Sequence, residues 1–356
     1  MDVLVGLQYG DEGKGKVTDY LSDNYSVVAR FQGGDNAGHT IYKNGEKLVL
    51  HTLPSGVLNG QSMNFLGNGM VINPISLKKE IDNIQRIVPD IKKRLYISEN
   101  ASVILPIHIN EEKNEEKIGT TKKGIGPCYR DKTSREGYKI KHFNELKNIY
   151  GWEFDASLEF LSTLQIVSDN LVNSGLSILA EGAQGTLLDL DHGDFPYVTS
   201  SNTISASACI GLGMPPQSVK RVYGVFKSYL TRVGNGKFPT QMDEETSKKI
   251  REKGGEFGAT TGRDRKCGWL NLDQLKHSCD LNGVTDLIMT KVDVLSSFKK
   301  IYVYCEDRYF SFSGWASPSL TDENFCKFIN FIENFLNIRI KFISFSPKKT
   351  DIEKLY

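Results

Sequence analysis

The sequence predicts an α/β fold with a largely parallel central sheet and helical and loop insertions. Two observations lead there. Strand-like and helix-like patterns alternate from one end of the chain to the other, and 356 residues that are 39% hydrophobic and 24% charged suffice for a sizeable core. Residues 2–8 alternate and are rich in Val and Leu, so they read as a strand. A Gly-rich turn follows, and a helix is expected over 15–21. Residues 25–31 read as a second strand, ending in another glycine turn. Short strands are expected at 47–53 and 64–66, then a helix at 76–87. Leu158, Leu161, Val167 and Leu171 fall near helical spacing and predict a helix over 156–172. A short buried strand at 177–180 runs into a third glycine turn. Further strands are expected at 221–226, 286–290 and 300–304, and helices at 271–282 and 322–336. The Lys/Glu-rich stretch 110–123 reads as an exposed, mobile segment. No repeat, low-complexity linker or domain boundary stands out, so residues 1–356 are read as a single elaborated domain.

Charge narrows the function classes. Forty-four Lys and Arg oppose 43 Asp and Glu, a net charge of +1. Such balance argues against a bulk nucleic-acid or polybasic membrane binder and leaves room for local basic clusters that hold phosphates. There is no run of about 18 apolar residues to span a membrane. Met1-Asp2-Val3-Leu4-Val5 reads as a first strand rather than a signal peptide. Cys128, Cys209, Cys267, Cys279, Cys305 and Cys326 are scattered without CxxC spacing. That suits the reduced thiols of a cytoplasmic protein better than a disulfide framework or a zinc site.

Three glycine-rich turns carry the chemistry. The first, Gly10-Asp11-Glu12-Gly13-Lys14-Gly15-Lys16, joins the first strand to the first helix. Its glycines let backbone N–H groups curl round an anion, the helix N-terminus adds a favourable dipole, and Lys14 adds a charge. This is P-loop-like nucleotide-binding physics, although the spacing is not GxxxxGK[ST]. The competing reading is a tight turn with solvated lysines. Asp11, at the mouth, suits a Mg²⁺ ligand or a base beside phosphate, and equally a helix N-cap. The second turn is Gln32-Gly33-Gly34-Asp35-Asn36-Ala37-Gly38-His39-Thr40, in which Asn36 offers an amide and His39 can donate or shuttle a proton. The third is Glu181-Gly182-Ala183-Gln184-Gly185-Thr186, where Gln184 suits a base edge or a reacting oxygen. The acids and histidine of Asp189-Leu190-Asp191-His192 read as a hydrogen-bonded corner rather than a metal cluster.

Thr290-Lys291-Val292-Asp293 directly follows a hydrophobic strand. There an Asp carboxylate can accept from the N1–H and 2-amino group of guanine while the Lys stem lies along the ring; the alternative is a chance tetrapeptide. Thr260-Thr261-Gly262-Arg263-Asp264-Arg265-Lys266 sets cations beside hydroxyls, suited to a small dicarboxylate or a phosphate, or else forms a solvated basic loop. Gly119-Thr120-Thr121-Lys122-Lys123-Gly124-Ile125-Gly126-Pro127 could clamp a nucleotide monophosphate. A triphosphate, a second phosphorylated ligand and a carboxylate together point to a ligase.

In order, GDEGKGK, QGGDNAGHT, LHTLPSG, LGNGMVINP, IGTTKKGIGP with CYRDKTSREG, EGAQGTLLDLDHG, PYVTSSNT, TRVGNGKFPT, EFGATTGRDRKCGWL and TKVDVL resemble the adenylosuccinate synthetase family from Val5 to about Val294. The resemblance implies a GTP-dependent C–N ligase joining L-aspartate to IMP through a 6-phosphoryl intermediate. By the same resemblance Asp11, His39 and Gln184 are catalytic, with Asp11 and the Gly38 carbonyl on Mg²⁺. GTP would lie on Gly10, Glu12, Gly13, Lys14, Gly15, Lys16, Lys291 and Asp293. The purine nucleotide would lie on Asn36, Thr121, Gln184, Thr199 and Val233, with Arg135 inserted from the partner of a homodimer. Thr260, Thr261, Arg263 and Arg265 would take the aspartate.

Several positions depart from that pattern. Tyr9 stands where Trp is usual, and TTKKG where TTGRG is common. Ile204, Ser205, Ala206 and Ser207 replace a Thr-Ala-Gly-Gly run, and Asp264 is an acid between two arginines. The C-terminal Ser-x-Gly-Pro is present only as Ser344-Phe345-Ser346-Pro347, and the chain is short after Gly137 and near its C-terminus. A phage branch of the family joins aspartate to dGMP with ATP or GTP. Compact length and the altered 204–207 segment fit that alternative, whereas the retained Asp11 and TKVD favour the IMP reaction. A non-catalytic GTP-binding protein on the same scaffold is a third reading, which the presence of Asp11, His39 and Gln184 disfavours.

Overall fold

The computed structural model describes residues 1–43, 45–113, 119–168, 175–258, 262, 264–296 and 298–356. Among these, ten strands form one sheet: β1 (Asp2–Gly6), β2 (Val27–Arg30), β3 (Met63–Leu66), β4 (Leu95–Ser98), β5 (Gln165–Val167), β6 (Ile178–Glu181), β7 (Arg221–Lys227), β8 (Asp286–Thr290), β9 (Ile340–Ser344) and β10 (Ile352–Lys354). Their order is β10-β9-β8-β7-β1-β6-β2-β3-β4-β5. Every adjacent pair is parallel except β9–β10. The largely parallel sheet expected from the sequence is present. Val3, Leu4 and Val5 of the central β1 are fully buried on both faces, which is why the strand reads as a continuous apolar run.

Helices start where side-chain caps allow. Asn73 accepts from the Ile75 and Ser76 amides ahead of Pro74–Gln85, whose Leu77, Ile81 and Ile84 point into the core. Asn271 caps Leu272–Asn282 and Asp322 caps Glu323–Leu336 in the same way. The last helix buries Phe325, Phe328, Ile329, Ile332 and Leu336, one stripe at helical spacing.

Some expected elements differ. The stretch 156–172 is a shorter helix, Trp152–Leu161, followed by edge strand β5; residues 169–174 lie outside the described residues. A strand of three residues, Gln165-Ile166-Val167, is too short to show a period. Residues 46–50 belong to a hairpin, His39–Lys43 with Glu46–Leu50, apart from the main sheet. Lys300–Cys305 joins Leu270–Asn271 and Arg308–Ser313 in a separate sheet. Its alternation of buried and half-buried residues marks a strand covered on one face. In the stretch read as mobile, Pro106–Glu112 is helical and a Glu112 carboxylate oxygen accepts from the Gly124 amide at 2.7 Å. Residues 114–118 lie outside the described residues.

The backbone after β2 is packed tightly against Gly211: a Cβ there would lie 2.1 Å from the Phe31 carbonyl oxygen. Gly211→Ala is therefore expected to cost about 1–3 kcal/mol by overpacking, read as a lower urea midpoint. An unchanged midpoint would contradict this packing.

Candidate active site

β8, β7, β1, β6 and β2 are consecutive neighbours and run parallel, so the turns leaving their carboxyl ends share one edge of the sheet, the usual place for ligands in such folds. The turn after β1 contains three left-handed residues, Gly10 (φ 84°), Asp11 (φ 60°) and Gly13 (φ 88°). The buried Glu12 carboxylate shapes it from within. Its Oε1 accepts from the Gln8 amide at 3.1 Å and the Gly10 amide at 2.8 Å, and its Oε2 meets Lys14 Nζ at 2.5 Å. Lys14 Nζ also donates to the Gln184 carbonyl. The solvated-lysine reading of this turn fails, because Lys14 and Lys16 are 4% and 8% exposed. Lys16 Nζ donates to Ser344 Oγ at 2.6 Å and to the Ser346 carbonyl. Burial pushes its pKa down to about 8, against the opposing pull of Asp351 and Asp293. The Glu12 side chain is spent inside the turn, leaving only its backbone to face a ligand.

The second and third turns meet the first. A Cβ on Gly15 would lie 2.7 Å from the Cβ of His39, so this position must be glycine for the histidine to approach the helix start. The point where a Cβ of Gly10 would stand is 3.7 Å from Gln184 Cα, and that of Gly33 is 3.2 Å from Gln184 Oε1. His39 Nδ1 lies 2.6 Å from Glu181 Oε1, which also accepts from Ser55 Oγ at 2.6 Å, while Glu181 Oε2 accepts from the Ser55 amide at 2.8 Å. Burial lowers the His39 pKa against the pull of Glu181. Burial tends to raise Glu181, but His39 and Arg30 hold it below the usual range. An ionised carboxylate only accepts, so Nδ1 carries the proton and Nε2 remains for another partner. Gln184 Oε1 is a buried acceptor with no donor among the described residues.

A second ionic group lies beneath Asp11. Arg265 bridges Asp11 Oδ2 at 3.1 Å and Glu256 Oε2 at 2.5 Å. Glu256 is fully buried; burial would raise its carboxyl, but Lys227, Lys291 and Arg265 hold it at about 2. Lys291 Nζ donates to the Gly254 carbonyl at 2.5 Å. Thr290 Oγ1 donates to the Glu12 carbonyl at 2.7 Å, tying the Thr290–Asp293 tetrapeptide to the first turn. Asp293 Oδ1 is buried with no donor among the described residues, which fits a ring N–H or amino group.

The remaining expected residues surround this edge or stand apart from it. Asn36 Oδ1 accepts from the Gly34 amide at 3.1 Å, and the Thr199 amide donates to the Leu188 carbonyl. Thr121, Arg135 and Val233 are exposed, Arg135 with φ 68° just past the helix Ile125–Ser134. Thr260, Thr261 and Arg263 lie outside the described residues. Asp189 is indeed a corner: it accepts from the amides of Asp191, His192 and Thr203. For Mg²⁺, one carboxylate (Asp11) and one carbonyl (Gly38) would fit as donors of a site completed by phosphate oxygens and water. Among the described residues no group of three or more acidic, His or Cys side chains is placed to hold a metal ion. Residue reading missed the partners Glu181, Glu256 and Lys227; an acid ending a buried strand before a glycine was the available signal for Glu181.

Glycine turns at adjacent strand ends, a buried His–carboxylate pair and buried acceptors without a donor among the described residues fit a nucleotide-using α/β enzyme. A family model described as adenylosuccinate synthetase matches residues 3–165 and 145–309. An adenylosuccinate synthetase of Phocaeicola vulgatus is 42% identical, covering 98% of this chain and 97% of that protein; one of Chlorobaculum parvum is 40% identical, covering 98% and 96%. The fully ligated adenylosuccinate synthetase of Plasmodium falciparum superposes with a TM-score of 0.90 at 35% identity, covering 99% of both chains. A cyanophage S-2L succinoaminodeoxyadenylate synthetase, bound to dGMP and dATP, shares the fold with a TM-score of 0.74 at 23% identity, covering 99% of this chain and 94% of that one. The chain belongs to the adenylosuccinate synthetase family and is an enzyme, a ligase. The two matched stretches overlap at 145–165, beyond the Gly137 after which the chain reads as short, and the first alignment runs over 411 positions against 356 residues here.

Glu181→Gln removes the charge that favours imidazolium. The His39 ring is expected to titrate below the ordinary ~6.5 in the native chain and lower still in the variant, read by NMR. An unchanged titration would contradict the pairing.

Proposed function

We propose that the chain catalyses IMP + L-aspartate + GTP → adenylosuccinate + GDP + phosphate, a step of purine biosynthesis, as a single domain working in a cytoplasmic homodimer. The observation that carries the reading is the meeting of the three glycine turns with the segment that follows β8: Lys14 joins Glu12 to the Gln184 carbonyl, Gly15 abuts His39, and Thr290 bonds the Glu12 carbonyl. A triphosphate, a purine oxygen and an amino acid would then lie within reach of one another.

Asp11 removes the N1 proton, which sharpens O6 as a nucleophile. O6 attacks the γ-phosphorus, the β–γ bridging bond breaks and GDP leaves, giving the 6-phosphoryl intermediate. His39 acts as an acid toward the transferring group. Neutral in the free protein, it takes up a proton as phosphate charge arrives, with Glu181 holding the far nitrogen. Gln184 holds the purine near O6. The aspartate amine then adds at C6 and phosphate departs.

The backbone of Gly10, Glu12, Gly13 and Gly15, with Lys14 and Lys16, holds the GTP phosphates, and Asp293 with Lys291 reads guanine. Asn36, Thr121 and Thr199 hold the IMP phosphate together with the partner's Arg135, and the Val233 backbone touches the ribose. Thr260, Thr261, Arg263 and Arg265 bind the aspartate carboxylates. Asp11 and the Gly38 carbonyl would hold Mg²⁺, which when bound offsets phosphate charge. The identity of 40% and above to named adenylosuccinate synthetases, against 23% to the phage enzyme, supports IMP over dGMP.

Purified protein with aspartate and Mg²⁺ is expected to turn over IMP with GTP. Turnover of dGMP but not IMP would overturn the acceptor, and equal use of ATP would overturn the guanine reading. A further expectation follows from Lys16. Its free-state pKa of about 8 leaves it mostly neutral at pH 9, and phosphate binding raises it, so GTP binding there should take up a proton. Calorimetry in buffers of different ionisation enthalpy reads this. Uptake undiminished in Lys16→Met would contradict the assignment.

A further inference from the structure

Resting on the ligase reading, we propose that Glu256 is a positioning residue that sets Arg265 for the amino acid and Lys291 for the base at the same time. Its two oxygens face opposite ways in function. Oε2 holds Arg265, whose other terminal nitrogen reaches Asp11, while Oε1 accepts from Tyr229 at 2.6 Å, meets Lys227 Nζ at 3.3 Å and stands 3.9 Å from Lys291 Nζ. The surroundings are built to hold this one carboxylate. Glu256 and Lys227 are fully buried, and Lys227 also donates to Thr231 Oγ1. The Arg265 amide donates to the Glu256 carbonyl at 3.2 Å, and Phe257 pairs with Asp264, so the two arms of the amino-acid loop start from Glu256. Lys291 is pinned by the Gly254 carbonyl, two residues before Glu256. Burying ions among ions is a poor source of stability compared with apolar packing. What the arrangement supplies is fixed geometry for two cations that belong to different substrates.

The test is steady-state kinetics of Glu256→Gln with each substrate varied. KM for aspartate and KM for GTP are expected to rise about tenfold, with KM for IMP unchanged within about twofold. Combining Glu256→Gln with Arg265→Lys should raise KM for aspartate no further than the worse single variant, because the two act as a unit. A purely structural role would lower active protein and kcat with every KM unchanged, and that result, or additive effects in the double variant, would overturn the proposal. If Glu256→Gln does not fold, Glu256→Asp keeps the charge and shortens the reach. A raised aspartate KM in it supports the proposal, and an unchanged one overturns it. Failure of the unaltered chain to form adenylosuccinate refutes the ligase reading itself, a result distinct from an active chain whose variants behave normally.

Discussion

Everything at the candidate site depends on the parallel register of five neighbouring strands. Val3 of β1 pairs with Ala180 of β6 on one side and Val222 of β7 on the other, and β2 and β8 continue the pattern outward. Parallel strands deliver their carboxyl ends to one edge, so turns far apart in sequence meet there. In a sheet buried on both faces a slip by one residue exchanges two apolar faces, so register is set by how each side chain fits its close-packed neighbours. The crowding that results explains why glycine faces His39 at position 15.

On that edge the chain buries charge more than once. Glu12 with Lys14, Glu181 with His39, and Glu256 with Lys227 and Arg265, are held inside the protein. Removing ions from water costs more than such pairs usually return, so their stability value is small. Their return is preorganisation: donors and cations held in place before substrate arrives need no rearrangement as charge moves. Asp11 illustrates the cost. In the free protein its carboxylate is engaged by Arg265, the arginine that the proposed function gives to the amino acid.

The fold was legible where burial is two-sided and local. β1 and β8 read as apolar runs because both faces are covered, and the helix Glu323–Leu336 reads from its stripe of Phe and Ile. β5 was not legible, being a short edge strand, and the 300–304 strand was legible as a strand but not as part of another sheet. The site was half legible. Glycine turns after strands announce ligand contact because close backbone approach needs them, and family resemblance assigned their roles. The supporting charges were not legible, because their pairing is tertiary: His39 and Glu181 are 142 residues apart. Glu256 reads as one acid among many until Lys227 and Lys291 are seen beside it.

The central claim is that O6 of the purine reaches the γ-phosphate within this cleft. It is tested most directly by supplying IMP carrying heavy oxygen at O6, with GTP and aspartate, and weighing the inorganic phosphate released. The account expects each phosphate to carry one heavy oxygen, because the O6 atom leaves C6 bonded to phosphorus. Phosphate without the label, beside normal product, would contradict it.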